Sequence, residues 1–263
     1  MSDLDRNYNS PFGRAAGRTD AATVDAGLRA YMLRIYNYMS IGLAITGLAA
    51  LGIYLAAVTT DPAATAYHFR NLSLTSFGYA MYFSPLKWLF MLAPLAMVFA
   101  LSAGITRMRP ATAQMMFWVF SALMGVSMSS IFLVYTHTSI VRVFFITAAT
   151  FGALSLYGYT TKRDMTGIGS FLIMGLFGVV IASLVNLFLA SSALQFFISV
   201  IGVLVFAGLT AYDTQRLKND YIYGYASQGG DIAERAAITG ALSLYLNFIN
   251  LFTLLLQLLG QRD

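Results

Sequence analysis

Seven apolar runs, each about twenty residues long, constrain this 263-residue chain more than any other feature. At 1.5 Å per residue, a helix of that length crosses a hydrocarbon core of about 30 Å. Only 10% of the residues are charged, whereas a soluble domain has about 25%, so these runs are not ordinary core helices. The sequence predicts an all-α integral membrane protein, with spans near residues 34–58, 86–106, 111–135, 140–160, 167–190, 193–213 and 236–259.

The basic residues predict how the bundle is oriented. When Lys and Arg are assigned to alternating sides of the seven spans, twelve of the sixteen fall on the side of the N-terminus. Cytoplasmic loops are enriched in basic residues, so we expect an inner (cytoplasmic) membrane protein with a cytoplasmic N-terminus and an external C-terminus. A re-entrant final segment would return the C-terminus inside, and the charge bias disfavours this alternative only weakly, because the final tail holds a single arginine, Arg262. Topology thus explains the net charge of +5, and no nucleic-acid partner is expected.

The chain divides into two predicted regions. Residues 1–30 are rich in polar and small residues and have few large apolar ones, so we predict a disordered cytoplasmic tail. Residues 31–263 form the predicted seven-helix transmembrane bundle, whose surroundings are the lipid bilayer. The absence of cysteine excludes disulfides and thiolate metal sites, and no cofactor is predicted.

One carboxylate stands at the end of the sixth predicted span. The stretch GLTAYDTQRLKND, residues 208–220, introduces Asp213 after an uncharged run. Asp213 is the first residue at the cytoplasmic interface if the span is counted as twenty residues from Ala193. Alternatively the helix continues, because TQRLKNDY contains neither Gly nor Pro, and Asp213 faces the bundle interior. A carboxylate there costs about 2.5–3.5 kcal/mol and needs a partner. The sequence around Asp213 leaves both alternatives open.

The last predicted span also carries polar residues. Asn247 and Asn250 lie three residues apart and therefore share a helix face, and Tyr245 precedes them. This spacing suggests a polar seam that faces another helix. Elsewhere, Asn186 and Gln257 are expected to form hydrogen bonds between helices.

Two motifs carry a resemblance to a known family. GLTAYDTQRLK, followed by ALSLYLNFINLF, resembles the two-part signature of the transmembrane Bax inhibitor motif family, and LAITGLAA resembles part of its first span. The resemblance implies a seven-helix bundle with the last helix surrounded by the others. Prokaryotic members include a pH-sensitive calcium leak and proteins linked to a membrane-anchored AAA protease, whereas eukaryotic members suppress cell death.

The resemblance also implies roles for particular residues, with Asp213 as an ion-binding and pH-sensing carboxylate inside the bundle. In the family's leak, a second aspartate of the last span pairs with the first, and an arginine at the end of the second span latches the pore. These positions fall on Asn247 and Arg107 in this chain. The asparagine is a departure, because an amide shares no proton with Asp213 and adds no charge for calcium, which prefers several carboxylates. A calcium ion at Asp213 is therefore expected to bind weakly.

Three classes of function are compatible with these features. The first is a pH-sensitive ion leak, with calcium as the conducted ion, gated by Asp213 and Arg107. The second is a regulatory protein that binds other membrane proteins, such as a membrane-anchored AAA protease. An intramembrane enzyme ranks last, because the sequence lacks the Gly-x-Gly-Asp motif of intramembrane aspartyl proteases and the HExxH motif of zinc proteases.

Overall fold

The computed structural model describes residues 11–105, 107–225 and 230–262, with side chains described from residue 24 onward. Nine helices are described in these ranges: α1 (Pro11–Ala57), α2 (Ser76–Tyr82), α3 (Leu86–Gly104), α4 (Pro110–Met128), α5 (Ile131–Val134), α6 (His137–Thr160), α7 (Thr166–Leu189), α8 (Ser192–Tyr223) and α9 (Gly230–Leu259). The strands are β1 (Val58–Thr59), β2 (Tyr67–Phe69) and β3 (Leu72–Leu74).

Seven helical segments are long and apolar enough to cross a membrane, as the sequence predicted. They are α1 from Val24 onward, α3, α4 together with α5, α6, α7, α8 and α9. The protein is therefore an all-α, multi-pass membrane protein. The N-terminal side is the side on which α1 starts; the chain returns there between α3 and α4, between α6 and α7, and between α8 and α9. The last span is one continuous helix rather than a re-entrant segment.

One predicted boundary needs correction. The sixth span does not end at residue 213 but continues for ten residues to Tyr223, because no Gly or Pro interrupts it. At the start of the described chain, α1 begins at Pro11 and Leu28 is buried in the core, both before the predicted boundary at residue 30. Residues 1–10 of the predicted tail lie outside the described residues.

The connection between the first two spans is an ordered unit of three short strands and helix α2. The three strands form an antiparallel sheet in the order β1-β3-β2, and Arg70 turns the chain between β2 and β3 with a φ of 52°. Thr75 then caps α2 by accepting a hydrogen bond from the Gly78 amide. This unit closes the end of the bundle opposite the N-terminal side.

Helix α9 lies at the centre of the bundle and is the most buried of the seven spans. It packs against α1, α4, α6 and α8, whereas α3 and α7 are peripheral and expose many apolar side chains. The chain end is held as well: the Thr136 amide donates to the Gln261 carbonyl and the Gln261 amide donates to Ser139 Oγ. The C-terminus therefore docks beside the start of α6, on the side opposite the N-terminal side.

Small residues let two helix pairs approach closely. The stripe of Ser121, Gly125 and Ser129 is buried, and a Cβ atom at Gly125 would collide with the Thr46 carbonyl of α1. Gly158 brings α6 against the backbone of α8 at Ala211 in the same way. Such contacts between helices are typical of membrane bundles, in which packing rather than water expulsion drives association.

Candidate functional site

Asp213 lies inside the bundle rather than at its end. It stands on α8, ten residues before the helix ends, which is about 15 Å along the axis. The residue is only 6% exposed and has buried neighbours along the chain on both sides, including Leu209, Thr210 and Leu217. The structure thus places this carboxylate facing the bundle, the second of the two alternatives that the sequence left open.

Two side chains from two helices hold the Asp213 carboxylate. Asn247 Nδ2 on α9 donates a hydrogen bond to Asp213 Oδ2 at 2.7 Å. Arg216 Nη2 lies 2.9 Å from the other oxygen, Oδ1. An ionised carboxylate can only accept hydrogen bonds, so Asn247 must present its N–H rather than its carbonyl oxygen. The expected contact between Asp213 and Asn247 is therefore present, and each carboxylate oxygen has a partner.

The predicted pairing of Arg107 with Asp213 is wrong for this structure. Arg107 lies in the connection between α3 and α4, is exposed, and forms no salt bridge with a described residue. Arg216 pairs with Asp213 instead. It lies three residues after Asp213 on the same helix, so it reaches the carboxylate with no help from another helix.

The predicted polar seam on the last helix is not continuous. Tyr245 is fully buried on the side of α9 that faces α1 and α4, where its hydroxyl lies 2.6 Å from Thr46 Oγ1. Asn250 Nδ2 donates to the Leu246 carbonyl of its own helix at 2.8 Å. Of these three residues, only Asn247 contacts α8. Tyr245 lies two residues away and therefore points to nearly the opposite side of the helix. Tyr245 and Asn250 thus do not support Asp213 directly.

A second polar cluster joins α7, α8 and α9 at the opposite end of the bundle. Asn186 Nδ2 donates to Gln195 Oε1 at 3.0 Å, and Gln195 Nε2 donates to Gln257 Oε1 at 2.7 Å. Ser199 Oγ donates to the same Gln257 oxygen. The hydrogen bonds between helices predicted for Asn186 and Gln257 are confirmed, and this cluster fixes how three helices meet.

Two residues near Asp213 escaped the sequence interpretation. Arg216 could have been found from its spacing, since a residue three positions from a buried carboxylate on a helix is its nearest candidate partner. Nothing in the sequence indicated a structural role for Gln215. Its amide accepts from the Met165 amide and donates to the Arg163 carbonyl, and so ties the α6–α7 connection to α8.

The donor set limits which ion could be held at Asp213. Within the described part of the chain, no group of three or more His, Asp or Glu side chains is placed to bind a metal. Calcium takes six to eight oxygen ligands, several of them carboxylates. Asp213 offers one carboxylate, and both of its oxygens are engaged. The arrangement fits a carboxylate whose two oxygens are engaged by two donors better than it fits a bound metal ion.

Residues 28–263 match the protein family described as "Inhibitor of apoptosis-promoting Bax1". The chain belongs to this Bax inhibitor family. Relatives of this Bax inhibitor protein align with it along nearly their whole length. Protein RP147 of Rickettsia prowazekii is 47% identical over 240 residues, which are 91% of this chain and 93% of that protein. The inner membrane protein YbhL of Escherichia coli K12 is 44% identical over 239 residues, 90% of this chain and 94% of YbhL. A Caulobacter vibrioides protein is 44% identical over 262 residues, 99% of this chain and 98% of that protein.

Proposed function

We propose that this Bax inhibitor family protein is a regulated ion leak in which Asp213 faces the permeating cation. The observation that carries the proposal is a carboxylate 6% exposed within a membrane bundle and held by donors from α8 and α9. Intramembrane carboxylates are costly, and they commonly mark ion pathways or proton relays. We propose no catalytic role and no resident cofactor.

Arg216 is the lock in this proposal: it keeps the site closed by pairing with Asp213. Its side chain is 40% exposed, whereas that of Asp213 is 9% exposed, so the arginine reaches the N-terminal side more readily than the carboxylate does. It also contacts Ser243 on α9 at 3.3 Å. While Arg216 holds Asp213, the carboxylate is neutralised and a cation gains little by approaching it. Movement of the guanidinium away from Asp213 releases the pair and opens the site, whereas protonation of Asp213 removes the charge that attracts the cation.

Calcium is the conducted ion we propose, bound weakly in transit. One carboxylate provides too few oxygen ligands for tight binding, and conduction requires that an ion also leaves. We further propose an inner membrane location with the N-terminus in the cytoplasm. The name of YbhL and the excess of basic residues on the N-terminal side support this placement.

Calcium flux into liposomes tests the lock. Arg216→Gln removes the charge that neutralises Asp213, so we expect faster flux at neutral pH than for the unmodified protein. Asp213→Asn removes the carboxylate itself, and its flux is expected to fall to that of empty liposomes. Lys162→Gln is the matched control, because Lys162 is an exposed basic residue on the same side of the bundle.

No flux above empty liposomes, for either the unmodified protein or Arg216→Gln, would reject the leak. Co-purification of a membrane-anchored AAA protease from native membranes, together with that result, would favour the regulatory alternative.

A further inference from the structure

A cavity of about 600 Å³ opens among the ends of α1, α3, α8 and α9 on the N-terminal side. Its polar lining includes Arg216 and Asp220 from α8, Arg235 from α9, and Tyr31 from α1. Apolar side chains such as Leu217 complete the wall. We call this the basic cavity. It begins next to the Asp213 pair but contains groups that the proposed lock does not use.

Arg235 is a cation without a counter-ion among the described residues. Its side chain is half-buried, and Nη1 donates to the Met108 carbonyl at 3.3 Å. It forms no salt bridge with any described carboxylate. A guanidinium has five N–H donors, so most of its hydrogen-bonding capacity remains available. A cation withdrawn from water without a partner is costly, which favours an anionic ligand beside it.

Tyr31 provides a second, independent observation. The residue is 5% exposed, its ring stacks on Tyr221 with centroids 4.9 Å apart, and its hydroxyl has no hydrogen-bond partner among the described residues. A buried hydroxyl without a partner is destabilising, so such groups usually meet a water or a ligand. Arg216 and Asp220 line the same cavity as Tyr31.

The charges around the cavity favour an anion with several acceptor oxygens. Arg216 is already paired with Asp213, and Asp220 also lines the cavity, so Arg235 contributes the uncompensated positive charge. Arg235, the N–H groups of Arg216 that Asp213 does not use, and the Tyr31 hydroxyl together offer donors from three helices. A phosphate group presents several oxygens to such donors and pairs well with planar guanidinium groups.

We propose that the basic cavity binds a phosphate group, held by Arg235 and Arg216 with the Tyr31 hydroxyl as an added donor. The cavity lies near the ends of four membrane-spanning helices, the level at which lipid headgroups lie. The phosphate can therefore belong to a phospholipid of the adjacent leaflet or to a free phosphate ion. This binding does not depend on whether the protein conducts ions.

Binding to the full-length, delipidated protein in detergent tests the site. Native mass spectrometry measures retention of phosphatidylglycerol against a glucosyl diacylglycerol, which has no phosphate, and titration calorimetry measures inorganic phosphate. Arg235→Gln is expected to weaken binding by about tenfold or more, because it removes a charge-assisted contact. Tyr31→Phe removes only the unpartnered hydroxyl. It should weaken binding by about two- to tenfold without lowering the thermal stability of the ligand-free protein.

Arg163→Gln is the control, since Arg163 is exposed on the same side but does not line the cavity. Retention of phosphatidylglycerol alone would identify a lipid as the source, and binding of inorganic phosphate would identify the free ion; either supports the site. If Arg235→Gln does not fold, the comparison of Tyr31→Phe with the unmodified protein decides. Equal affinity in the cavity variants and the unmodified protein, equal losses in the control, or no preference for phosphate would overturn the proposal.

Discussion

Asn247 sets the charge beside Asp213, because it stands where an aspartate would create a second carboxylate at hydrogen-bond distance. With the amide in place, Asp213 has no second carboxylate with which to share a proton. Two carboxylates at that distance cannot both ionise cheaply, so such a pair takes up one proton and titrates as a unit. The identity of one side chain thus decides whether the site responds to pH as a single group or as a pair.

We therefore expect Asn247→Asp to move the pH dependence of ion flux toward neutrality and to strengthen calcium binding, since it adds a charged oxygen ligand. Flux and calcium binding between about pH 5 and 8 measure both effects. Asn250→Asp is the matched control, because Asn250 bonds to its own helix rather than to Asp213. Identical profiles for the unmodified protein and Asn247→Asp would mean that residue 247 has no influence on Asp213.

At the scale of elements, close helix packing holds the polar groups in register. Asp213 and Asn247 meet because α8 packs along α9, and α6 approaches α8 closely at Gly158. The Gln195–Gln257 bond fixes the same two helices at the opposite end. The Asp213–Asn247 hydrogen bond inside the bundle and the Gln195–Gln257 hydrogen bond nearer the opposite end make it difficult for α8 to slide or rotate against α9.

Gly125→Ala tests this packing between α1 and α4. A Cβ atom there would collide with the Thr46 carbonyl, so the helices must separate, and we expect a loss of about 1–3 kcal/mol of stability. Thermal unfolding in detergent measures this loss of stability. Gly178→Ala is the control: no atom lies within 4 Å of a Cβ added there, so stability should hold or rise slightly. Equal melting temperatures for the two variants would show that α1 and α4 are not in close contact at Gly125.

At the scale of the whole molecule, an odd number of spans places the two termini on opposite sides. The last helix has 30 residues without interruption, and Gln261 docks beside Ser139 at the side reached after the third span. We expect an alkaline phosphatase fused after Asp263 to be active, and the same reporter fused after Lys162 to be inactive. A C-terminal fusion that reports the cytoplasm would contradict the topology that we propose.

The sequence by itself determined the all-helical membrane fold, the seven spans and the family. Apolar run length and two motifs suffice for these, because the bilayer requires each spanning segment to satisfy its own backbone. It also identified Asp213 and Asn247 as an interacting pair. Only the tertiary structure decided that Arg216 rather than Arg107 holds Asp213, and that Tyr245 faces away from this site. Those contacts depend on the rotation of each helix and on the position of a connecting loop, which arise from packing among several helices at once.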